Sequence, residues 1–488
     1  MKHHAIPYQV EVNGQSIPVY PVRVSAAPIN HIWPGWQRSI NQSEEAWFAD
    51  FDLPSDGCPA EVRIRLLQPA IEDVELRPHK YAPVWKLQGK EVVFKLKRPE
   101  QLVLLVNGLH GALHIFANPP FVYEPRPDDI YFGPGVHEAG LIMPKSGQRL
   151  CLDRGAVVYG AIFVYQAENV EIIGRGVLDS SKIKCPKEAV AGEPGGEVMA
   201  EIAKLGFDFQ KWYVGGNLVV FGSHQVTVSG IILVDSPSWS VIIRNHCRNV
   251  AIDNLKIVGQ WRYNSDGVDV CASSHVTLRN SFIRTFDDCI VARAPWLWGE
   301  TEPVRDFLSE HCVLWCDWGK NLEIWNGDKE SLIEDIVFRD IAVAHATDFI
   351  ISITTRYGAE DILVRRVLYE DIEVQVENFC PRPLNQVEDC PNFPENDTER
   401  LPQLVIVHCG VLGRSLGNQG IAEASAEEKR RVRLRYSHLL FRNIRTLGRP
   451  LEVQIEGEPG ILDIADVQLE NVPFGKLSAH LVKELTIR

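Results

Sequence analysis

A short phrase that recurs along the chain is the feature that most limits its fold. The phrase alternates apolar and polar residues and is flanked by Asn, Asp or Gly. Its eight copies are "NVEIIG" from Asn169, "QVTVSG" from Gln225, "NVAIDN" from Asn249, "HVTLRN" from His275, "DIVFRD" from Asp335, "DILVRR" from Asp361, "LLFRNI" from Leu439 and "DVQLEN" from Asp466. Alternation of this kind predicts short strands that each bury one face.

The spacing of the phrase predicts how these strands are arranged. Val226 and Val250 are 24 positions apart (250 − 226), and Val250 and Val276 are 26 apart (276 − 250). Ile336 and Ile362 are also 26 apart (362 − 336). Strands repeated at this spacing without hairpin turns predict stacked coils, which is the pattern of a right-handed parallel β-helix. A β-propeller is the alternative, but each of its blades needs about 40 residues.

The first part of the chain has a different pattern. Segments such as "AEVRIRLL" and "QLVLLVNG" alternate in polarity and are separated by Gly, Pro and Asn turns. They predict an antiparallel β-sandwich. The stretch "NPPFVYEPRPDD" at 118–129 is rich in proline and acid and is typical of a linker. We therefore expect an all-β protein with a sandwich domain at 1–119 and a β-helix domain at 120–488.

Composition limits the partners of the chain. Its 488 residues are 45% hydrophobic, which is enough for a large core, and 50 Lys+Arg against 64 Asp+Glu give a formal charge of −14. This charge argues against a nucleic-acid partner. No apolar stretch is long enough to span a bilayer, and the start "MKHHAIPYQVEVNGQ" lacks the apolar core of a signal peptide. We therefore expect no membrane partner and a cytoplasmic location.

The cysteines favour buried thiols over a metal site. There are eleven, an odd number with irregular spacing. Cys312 and Cys316 have the spacing of half a metal site, but no second pair completes it. We expect reduced thiols in a reducing compartment, no metal and no cofactor.

Two long segments interrupt the coils. Residues 183–214 include "EVMAEIAKLGFDFQKWY", which predicts a short helix, and residues 378–435 are rich in proline and charge. Insertions in a solenoid often lie on its binding face, so these segments can close one end of a groove. Such a groove would admit only a chain end, which favours an exo-acting enzyme. Surface loops without a function are the alternative.

Three aspartates are the candidate catalytic residues. Asp266 lies in "NSDGVDV", and "FDDC" places Asp287 21 positions later (287 − 266), about one coil further on. Asp266 should therefore lie beside Asp287 and Asp288. Carboxylates so close repel each other, so at least one should have a raised pKa. A protonated and an ionised carboxyl that flank a gap are what glycoside hydrolysis requires.

The alternatives for these aspartates are structural. They could form an Asp/Asn ladder that caps the turns, or a Ca²⁺ site built from oxygen ligands. For the nearby Asp269 we favour a turn hydrogen bond. In a regular strand Asp287 and Asp288 would point to opposite faces, so both can reach a groove only if the backbone bends between them.

At these residues the chain resembles the polygalacturonase family, glycoside hydrolase family 28. "NSDG" followed by "DD" one coil later is similar to the signature of that family. The stretches "FGPGVHEAGLIMPKSGQRLCLDRGAVVYGAI", "NVEIIGRGVLD" and "DSPSWSVII" resemble three of its coils. The resemblance implies a right-handed β-helix and single-displacement hydrolysis with inversion. It also implies that Asp287 is the general acid and that Asp266 and Asp288 hold the attacking water.

Two departures from the family pattern concern the substrate. Lys320, in "WGKNLEIW", stands where the family has the histidine of Gly-His-Gly. Ser352 and Thr354, in "FIISITT", stand where the family has the Arg-Ile-Lys that grips the substrate carboxylate. Arg356 is a possible substitute. We therefore expect a neutral sugar rather than galacturonate. The order of sandwich and β-helix also resembles the layout of the dextranase and isopullulanase family, which cleaves neutral α-glucans.

The expected partner is an oligosaccharide or polysaccharide. Aromatic rings near the aspartates can stack on sugar faces. The candidate substrate-binding residues are Trp261, Trp296, Trp298, Asn264, Lys320, Glu323 and Arg356. Alternative functions are a polygalacturonase or exo-galacturonidase, a β-helix polysaccharide lyase or uronate epimerase, and a non-catalytic adhesin.

Overall fold

The fold was analysed in a computed structural model of the chain. It describes residues 5–25, 43–184, 197–206, 215–293, 300, 302–326, 330–355, 360–376, 402–409 and 431–488, without the side chains of Met199 and Asn326. Among these residues no helix is long and apolar enough to cross a bilayer.

Ten strands form the N-terminal domain. They are β1 Tyr8–Val12, β2 Gln15–Ile17, β3 Val19–Ser25, β4 Ser43–Asp52, β5 Ala60–Leu66, β6 Val74–Arg77, β7 Trp85–Gln88, β8 Glu91–Leu96, β9 Glu100–Val106 and β10 Leu113–Asn118. One sheet has the order β2-β1-β5-β8-β7 and the other β3-β4-β10-β9-β6. All pairs are antiparallel except β4 and β10, which run parallel. The predicted sandwich is confirmed, with this one parallel pair as a difference, because a parallel pair needs no hairpin and leaves no turn signal.

The second domain contains 27 strands in one continuous parallel arrangement. They are β11 Ile130–Phe132, β12 Gly135–Ile142, β13 Arg149–Leu152, β14 Ala156–Tyr165, β15 Glu168–Gly174, β16 Val177–Asp179, β17 Leu218–Phe221, β18 His224–Ser229, β19 Ile232–Val234, β20 Val241–Arg244, β21 Arg248–Asp253, β22 Lys256–Ile257, β23 Val268–Cys271, β24 Ser274–Arg279, β25 Phe282–Thr285, β26 Ile290–Arg293, β27 Val304–Cys316, β28 Leu322–Asn326, β29 Glu330–His345, β30 Phe349–Thr355, β31 Asp361–Gln375, β32 Gln403–Val407, β33 Arg433–Leu447, β34 Glu452–Glu456, β35 Leu462–Glu470, β36 Lys476–His480 and β37 Val482–Ile487. The predicted parallel β-helix is confirmed. One helix, α1 Glu197–Ala203, lies in the first insertion, as predicted there.

Three long sheets run along the β-helix. From β17 onward the first sheet contains β17, β20, β23, β26, β28, β30, β32, β34 and β36. The second contains β18, β21, β24, the first halves of β27, β29, β31 and β33, and then β35 and β37. The third contains β19, β22, β25 and the second halves of the four long strands.

Two of the three predicted repeat spacings agree with the register and one differs. Val226 pairs with Val250, and Val250 with Val276, as predicted. Ile336 pairs with Val367 rather than with Ile362. The predicted spacing was wrong at this coil because the coil is 31 residues long (367 − 336), so Ile362 pairs with Ser331 instead.

A left-handed backbone residue recurs at two places in the coils and explains the polar residues of the repeated phrase. One is the second residue of a strand in the second sheet, as at Asn249 (φ 58) in β21 and His275 (φ 54) in β24. The other lies where the chain turns from the second sheet into the third. Those residues are Asn254, Asn280, His311, Asp340, Asp371, Asn443 and Asn471, and we call them the asparagine corner. Asn, Asp and His tolerate positive φ better than most residues, which explains their recurrence.

Two cores hold the domains together. Stacked aliphatic residues fill the inside of the β-helix. The core of the sandwich continues onto the outer face of the third sheet, where it packs against Ile232, Val234, Val258, Phe282, Val313, Trp315, Ala342 and Ala344. Ion pairs border this contact, such as Arg175–Asp52 at 2.8 Å and Arg154–Asp50 at 2.6 Å. The packing leaves the outer face of the first sheet and its neighbouring corner away from the sandwich core.

Candidate active site

The corner between the third and first sheets brings the predicted catalytic residues together. The backbone N–H of Ser240 donates to the carbonyl of Asp266, and that of Gly267 to the carbonyl of Asp288, each at 2.8 Å. The N–H of Cys289 donates to the carbonyl of Lys320, also at 2.8 Å. Successive coils therefore stack Asp266, Asp288 and Lys320 at the strand spacing of about 4.8 Å. We call Asp266, Asp287, Asp288 and Lys320 the acidic corner.

The adjacent aspartates do not alternate faces, because they lie in a bend between β25 and β26. The N–H of Asp288 donates to Oδ1 of Asp287 at 3.1 Å. Nδ2 of Asn264 donates to Oδ2 of the same carboxylate at 3.3 Å. Both aspartates are at most 5% exposed. The bend thus keeps two neighbouring carboxyls on one side of the chain, as the sequence required.

Arg293, at the end of β26, links the carboxyls of neighbouring coils. Its Nε donates to Asp269 at 2.6 Å and its Nη2 to Asp266 at 2.8 Å. Its Nη2 is also 3.8 Å from Asp288. The guanidinium lies over the ring of Trp239 at 4.4 Å and over that of Trp325 at 4.8 Å.

Arg293 is therefore fixed from all sides. Two aromatic faces hold its plane, and cation–π contacts of this kind are strongest when desolvated. The charge of Asp269 and Asp266 raises the pKa of Arg293 against the effect of its burial. The arginine thus remains a cation within a group of acids.

A second cation, Lys320, lies between Asp288 and Glu323. Its backbone N–H donates to Oδ1 of Asp288 at 2.8 Å, and its Nζ is 3.5 Å from the same oxygen. Nζ is also 3.6 Å from Oε1 of Glu323. Burial lowers the pKa of Lys320, but Asp288 and Glu323 raise it further and keep the amine charged. Its side chain is 18% exposed, so it remains accessible from the solvent side.

Glu323 occupies the face where the sequence departs from the family pattern. It pairs with Ser352 in the first sheet. The hydroxyl of Thr354 donates to Oε1 of Glu323 at 3.3 Å, and that of Ser352 at 3.5 Å. The position of the expected cationic clamp is thus occupied by two hydroxyls that face a buried acid.

The acids at this site fall into two groups, one with raised pKa values and one with a lowered pKa. Burial and then the charge of Asp287 raise the pKa of Asp266 well above its usual value. Burial also raises the pKa of Asp269 to about 6, although Arg293 opposes it. Burial acts in the same direction on Asp288, but the charge of Lys320 and a hydrogen bond from Glu323 outweigh it and lower the pKa of Asp288. Burial and the neighbouring Asp288 raise the pKa of Glu323 well above its usual value.

These shifts leave protonated and ionised carboxyls side by side. Asp266 and Glu323 favour the neutral form, and Asp288 favours the ionised form. Oδ1 of Asp266 and Oδ2 of Asp269 are buried and have no hydrogen bond among the described residues. The arrangement therefore contains a proton that can be given away, a base that can accept one, and acceptors that a ligand hydroxyl can use.

The other predicted substrate-binding residues have different positions. Trp261 is 8% exposed, and its indole N–H donates to Asp235 at 3.1 Å. The guanidinium groups of Arg23 and Arg262 lie 5.8 and 5.6 Å from its ring. Trp261 thus belongs to the coil next to the aspartates and to the edge of the sandwich. Trp296, Trp298 and Arg356 lie outside the described residues, so their predicted roles stay predictions.

Sequence reasoning missed Arg293 and misplaced Asp269. Asp269 is part of β23 and forms an ion pair with Arg293, so the predicted turn hydrogen bond was wrong. The signal was available in the alternation of β26, where Val291 and Arg293 share the outer face. Val291 pairs with Asp269 and Glu323, and Arg293 with Trp325. Cys312 and Cys316 are buried in the β-helix core, where Cys316 donates to the carbonyl of Asp287 at 3.2 Å.

The chain joins a β-sandwich to a parallel β-helix that carries a cluster of acids at one corner of its coils. Residues 216–295 match the family model of glycosyl hydrolases family 28. This segment contains Asp266, Asp287, Asp288 and Arg293, but not Lys320. The resemblance to family 28 is therefore confirmed over the part of the chain that carries the three aspartates of the acidic corner.

Individual proteins match over different lengths. Exopolygalacturonase A of Aspergillus niger is 31% identical over 136 residues, which are 26% of this chain and 29% of that protein. The chain thus spans less than a third of that relative. Dex49A from Penicillium minioluteum has a similar structure with a TM-score of 0.52 and 12% identity, over 96% of this chain and 89% of its own. A hyperthermoactive exopolygalacturonase from Thermotoga maritima has a TM-score of 0.45 and 14% identity, over 73% of this chain and 83% of its own.

Proposed function

We propose that the chain is an inverting O-glycoside hydrolase that acts on an oligosaccharide or polysaccharide. The observation that carries this proposal is the acidic corner, where Asp266, with a raised pKa, lies beside Asp287, and Asp288 has a lowered pKa. Acids of both kinds on neighbouring coils can serve the two ends of a glycosidic bond.

The roles follow from the contacts. We assign delivery of a proton to the leaving oxygen to Asp287, which lies in the bend, and its neighbour Asp266, whose pKa burial and the charge of Asp287 raise, is the acid that can supply this proton. Asp288, ionised beside Lys320, takes a proton from the attacking water with the help of Asp266. Water forms the new bond to the anomeric carbon while the leaving oxygen departs with the proton. The product then carries inverted configuration, and the protons redistribute among the acids.

The charge of the site supports a neutral sugar in the central subsite. Five carboxyls (Asp266, Asp269, Asp287, Asp288 and Glu323) surround two cations, Arg293 and Lys320. Both cations already contact two or more of these acids. Among the described residues the carboxyls of this site outnumber its cations, and a uronate would add another negative charge. Sugar hydroxyls, by contrast, can donate to buried oxygens such as Oδ1 of Asp266.

A galacturonate substrate is the second candidate. The name of the Aspergillus niger relative, an exopolygalacturonase, favours it and also supports attack at a chain end. We therefore propose exo-action. The segments expected to close the groove, 183–214 and 378–435, lie mostly outside the described residues.

A panel of neutral and uronic oligosaccharides, followed by NMR of the first-formed anomer, tests these proposals together. We expect turnover of a neutral oligosaccharide, inverted configuration, and one small product from the start. A product with retained configuration would contradict inversion. Turnover of galacturonate oligomers alone would select the second candidate, and an unsaturated product that absorbs in the near ultraviolet would indicate a lyase.

A further inference from the structure

A cavity between the two domains lies at the asparagine corner, on the opposite edge of the third sheet from the acidic corner. It has a volume of about 310 Å³. The sandwich contributes Tyr81, Arg98, Glu100 and Gln101 to its wall. Interfaces between domains are frequent places for small-molecule sites, and this volume is at the lower end of their usual range of about 300–1,000 Å³.

The β-helix contributes polar side chains from successive coils. Asn254, Asn280 and His311 line the cavity, together with Asp253. Nδ2 of Asn280 donates to Asp253 at 2.6 Å. Nδ1 of His311 lies 2.7 Å from Asp340, a residue of the next coil. The corner thus presents a row of fixed polar groups to the sandwich.

One buried acceptor in this wall has no hydrogen-bond donor among the described residues. It is Oε1 of Gln101, a residue that is 5% exposed. The other amide atom of Gln101, Nε2, already donates to Asn254 at 2.9 Å. Oε2 of Glu100 makes no hydrogen bond, but it lies 3.6 Å from Nε2 of His311 and is paired with that side chain. A buried acceptor without a donor is costly, so Oε1 of Gln101 fits a ligand or a water that carries an O–H group.

The charges in the wall are balanced. Nε of Arg98 donates to Glu100 at 2.5 Å, and His311 is paired with Asp340. The carboxylates of Asp340 and Glu100, to which the ring N–H groups of His311 point, raise the pKa of His311 to about 9, so it is a cation at neutral pH. An anion would meet Glu100 and Asp253, and an amine would meet Arg98 and His311. A neutral ligand avoids both conflicts.

The cavity also has apolar surface and an entrance. Pro99, Pro119 and Val313 complete its wall. A neighbouring groove on the sandwich shares Tyr81 with it, as well as Arg98 and Glu100. A ligand can therefore enter along the surface of the sandwich. Apolar patches beside hydroxyl acceptors match the two kinds of surface on a pyranose ring.

We propose that this cavity binds one ring of a neutral saccharide, apart from the acidic corner. The ring donates a hydroxyl to Oε1 of Gln101 and accepts from Arg98, while its C–H face contacts the prolines. Because the ligand touches both domains, it stabilises the contact between them. The proposal does not depend on hydrolysis, so it can fail or hold independently of the proposed function.

The test uses full-length protein with methyl glycosides of glucose and galactose as probes. Binding is followed by ligand-observed NMR and by the rise of Tm with probe concentration. Gln101→Leu removes one acceptor, and we expect roughly tenfold weaker binding from the loss of this hydrogen bond. Asn280→Ala alters the opposite wall and should also weaken binding.

Asn443→Ala is the matched control. Asn443 also lies in the asparagine corner at positive φ (52, against 51 for Asn280), and its Nδ2 donates to Asp371 at 3.0 Å. It lies outside the cavity wall. We expect this variant to bind the probes as the wild type does.

Crystals soaked in the probes give the decisive observation. A sugar ring between Gln101 and Asn280 would support the proposal. Ordered water alone at that place, or equal binding by wild type, Gln101→Leu and Asn280→Ala, would overturn it. Binding that is lost only when Lys320 is replaced would assign the probe to the acidic corner and would also overturn the proposal.

Discussion

The acidic corner and the asparagine corner are built from similar residues but behave differently. In each corner, Asp or Asn residues of successive coils stack along one edge of the third sheet, and the two corners lie at its opposite edges. In the asparagine corner, Asp340 lies 2.7 Å from both His311 and Lys80. Burial would raise the pKa of Asp340, but these partners outweigh it and lower the pKa. In the acidic corner the pKa of Asp266 is raised.

The ratio of basic donors to acids explains why the pKa of Asp340 is lowered and that of Asp266 is raised. Asp340 has two basic partners, whereas five carboxyls of the acidic corner and first sheet share Arg293 and Lys320. Depth adds to the effect, because Asp266 is 1% exposed and Asp340 has a side chain that is 36% exposed. A stacked aspartate is thus structural where donors suffice, and chemically active where acids outnumber them.

The largest expected effect is a loss of activity when one carboxylate of the acidic corner becomes an amide, and the same exchange in the asparagine corner is the control. Asp287→Asn should reduce kcat about 10²–10⁴-fold, because the leaving oxygen then lacks its proton donor. Asp371→Asn, in the asparagine corner, should leave kcat unchanged. Steady-state kinetics on the substrate found in the panel measures both. Near wild-type turnover in Asp287→Asn would show that Asp287 is not the acid.

Removing the arginine partner tests whether the acids depend on a shared cation. Arg293→Met leaves buried carboxylates without their donor, and we expect a loss of about 3–5 kcal/mol in unfolding free energy at pH 7. Arg435→Met removes an exposed pair with Asp361, whose side chains are more than half exposed, and should cost less than about 1 kcal/mol. Urea unfolding measures both. Equal losses would mean that burial does not distinguish the two sites.

The pH dependence of stability should have opposite sign at Asp269, next to the acidic corner, and at Asp340 in the asparagine corner. Since the pKa of Asp269 rises to about 6 on folding, the folded state binds more protons than the unfolded state between about pH 4 and 6. Wild-type stability therefore falls as pH rises through this window, by about 1.4 kcal/mol per unit of raised pKa. The Asp269→Asn variant lacks this contribution. Its unfolding free energy should therefore rise relative to that of the wild type from pH 4 to pH 7.

Asp340→Asn is the control for that experiment. The pKa of Asp340 is lowered, so its contribution is present above the unfolded pKa of about 4 and lost below it. The loss of unfolding free energy in Asp340→Asn, relative to the wild type, should be constant from pH 5 to pH 7 and become smaller in stronger acid. Parallel curves for wild type and Asp269→Asn would contradict the raised pKa of Asp269.

Much of the fold was predictable because the coil repeats its conformation. Each left-handed residue needs Asn, Asp, His or a similar side chain, and each inward position needs an aliphatic one, so the phrase around Val226, Val250 and Val276 recurs. The predicted spacing was wrong at Ile362, because the coil from Ile336 to Val367 is 31 residues long (367 − 336). The sandwich strand β4 is buried on both faces from Ala46 to Phe51, so its sequence "SEEAWFADFD" lacks the alternation from which the sandwich was predicted.

The candidate site was predictable in its acids and less so in its cations. The coil length brings Asp266 beside Asp287, and like charges then require raised pKa values. Arg293 was missed because its role depends on Trp239, one coil before Asp266, and on Trp325, one coil after the arginine. Such contacts appear only when the register is known. The exposure of Trp261 depends similarly on where Arg23 of the sandwich lies.

The packing of the sandwich on the third sheet has a consequence for biosynthesis. The sandwich strands end at Asn118, yet the surface that covers their core includes Phe282, Trp315 and Ala344. At about 5–20 residues per second, the ribosome needs on the order of tens of seconds to make that surface after the sandwich has emerged. During this interval the nascent sandwich exposes apolar residues without their cover. Transiently exposed apolar surface is prone to aggregation, so the emerging sandwich is the part of this chain that most needs cover during synthesis.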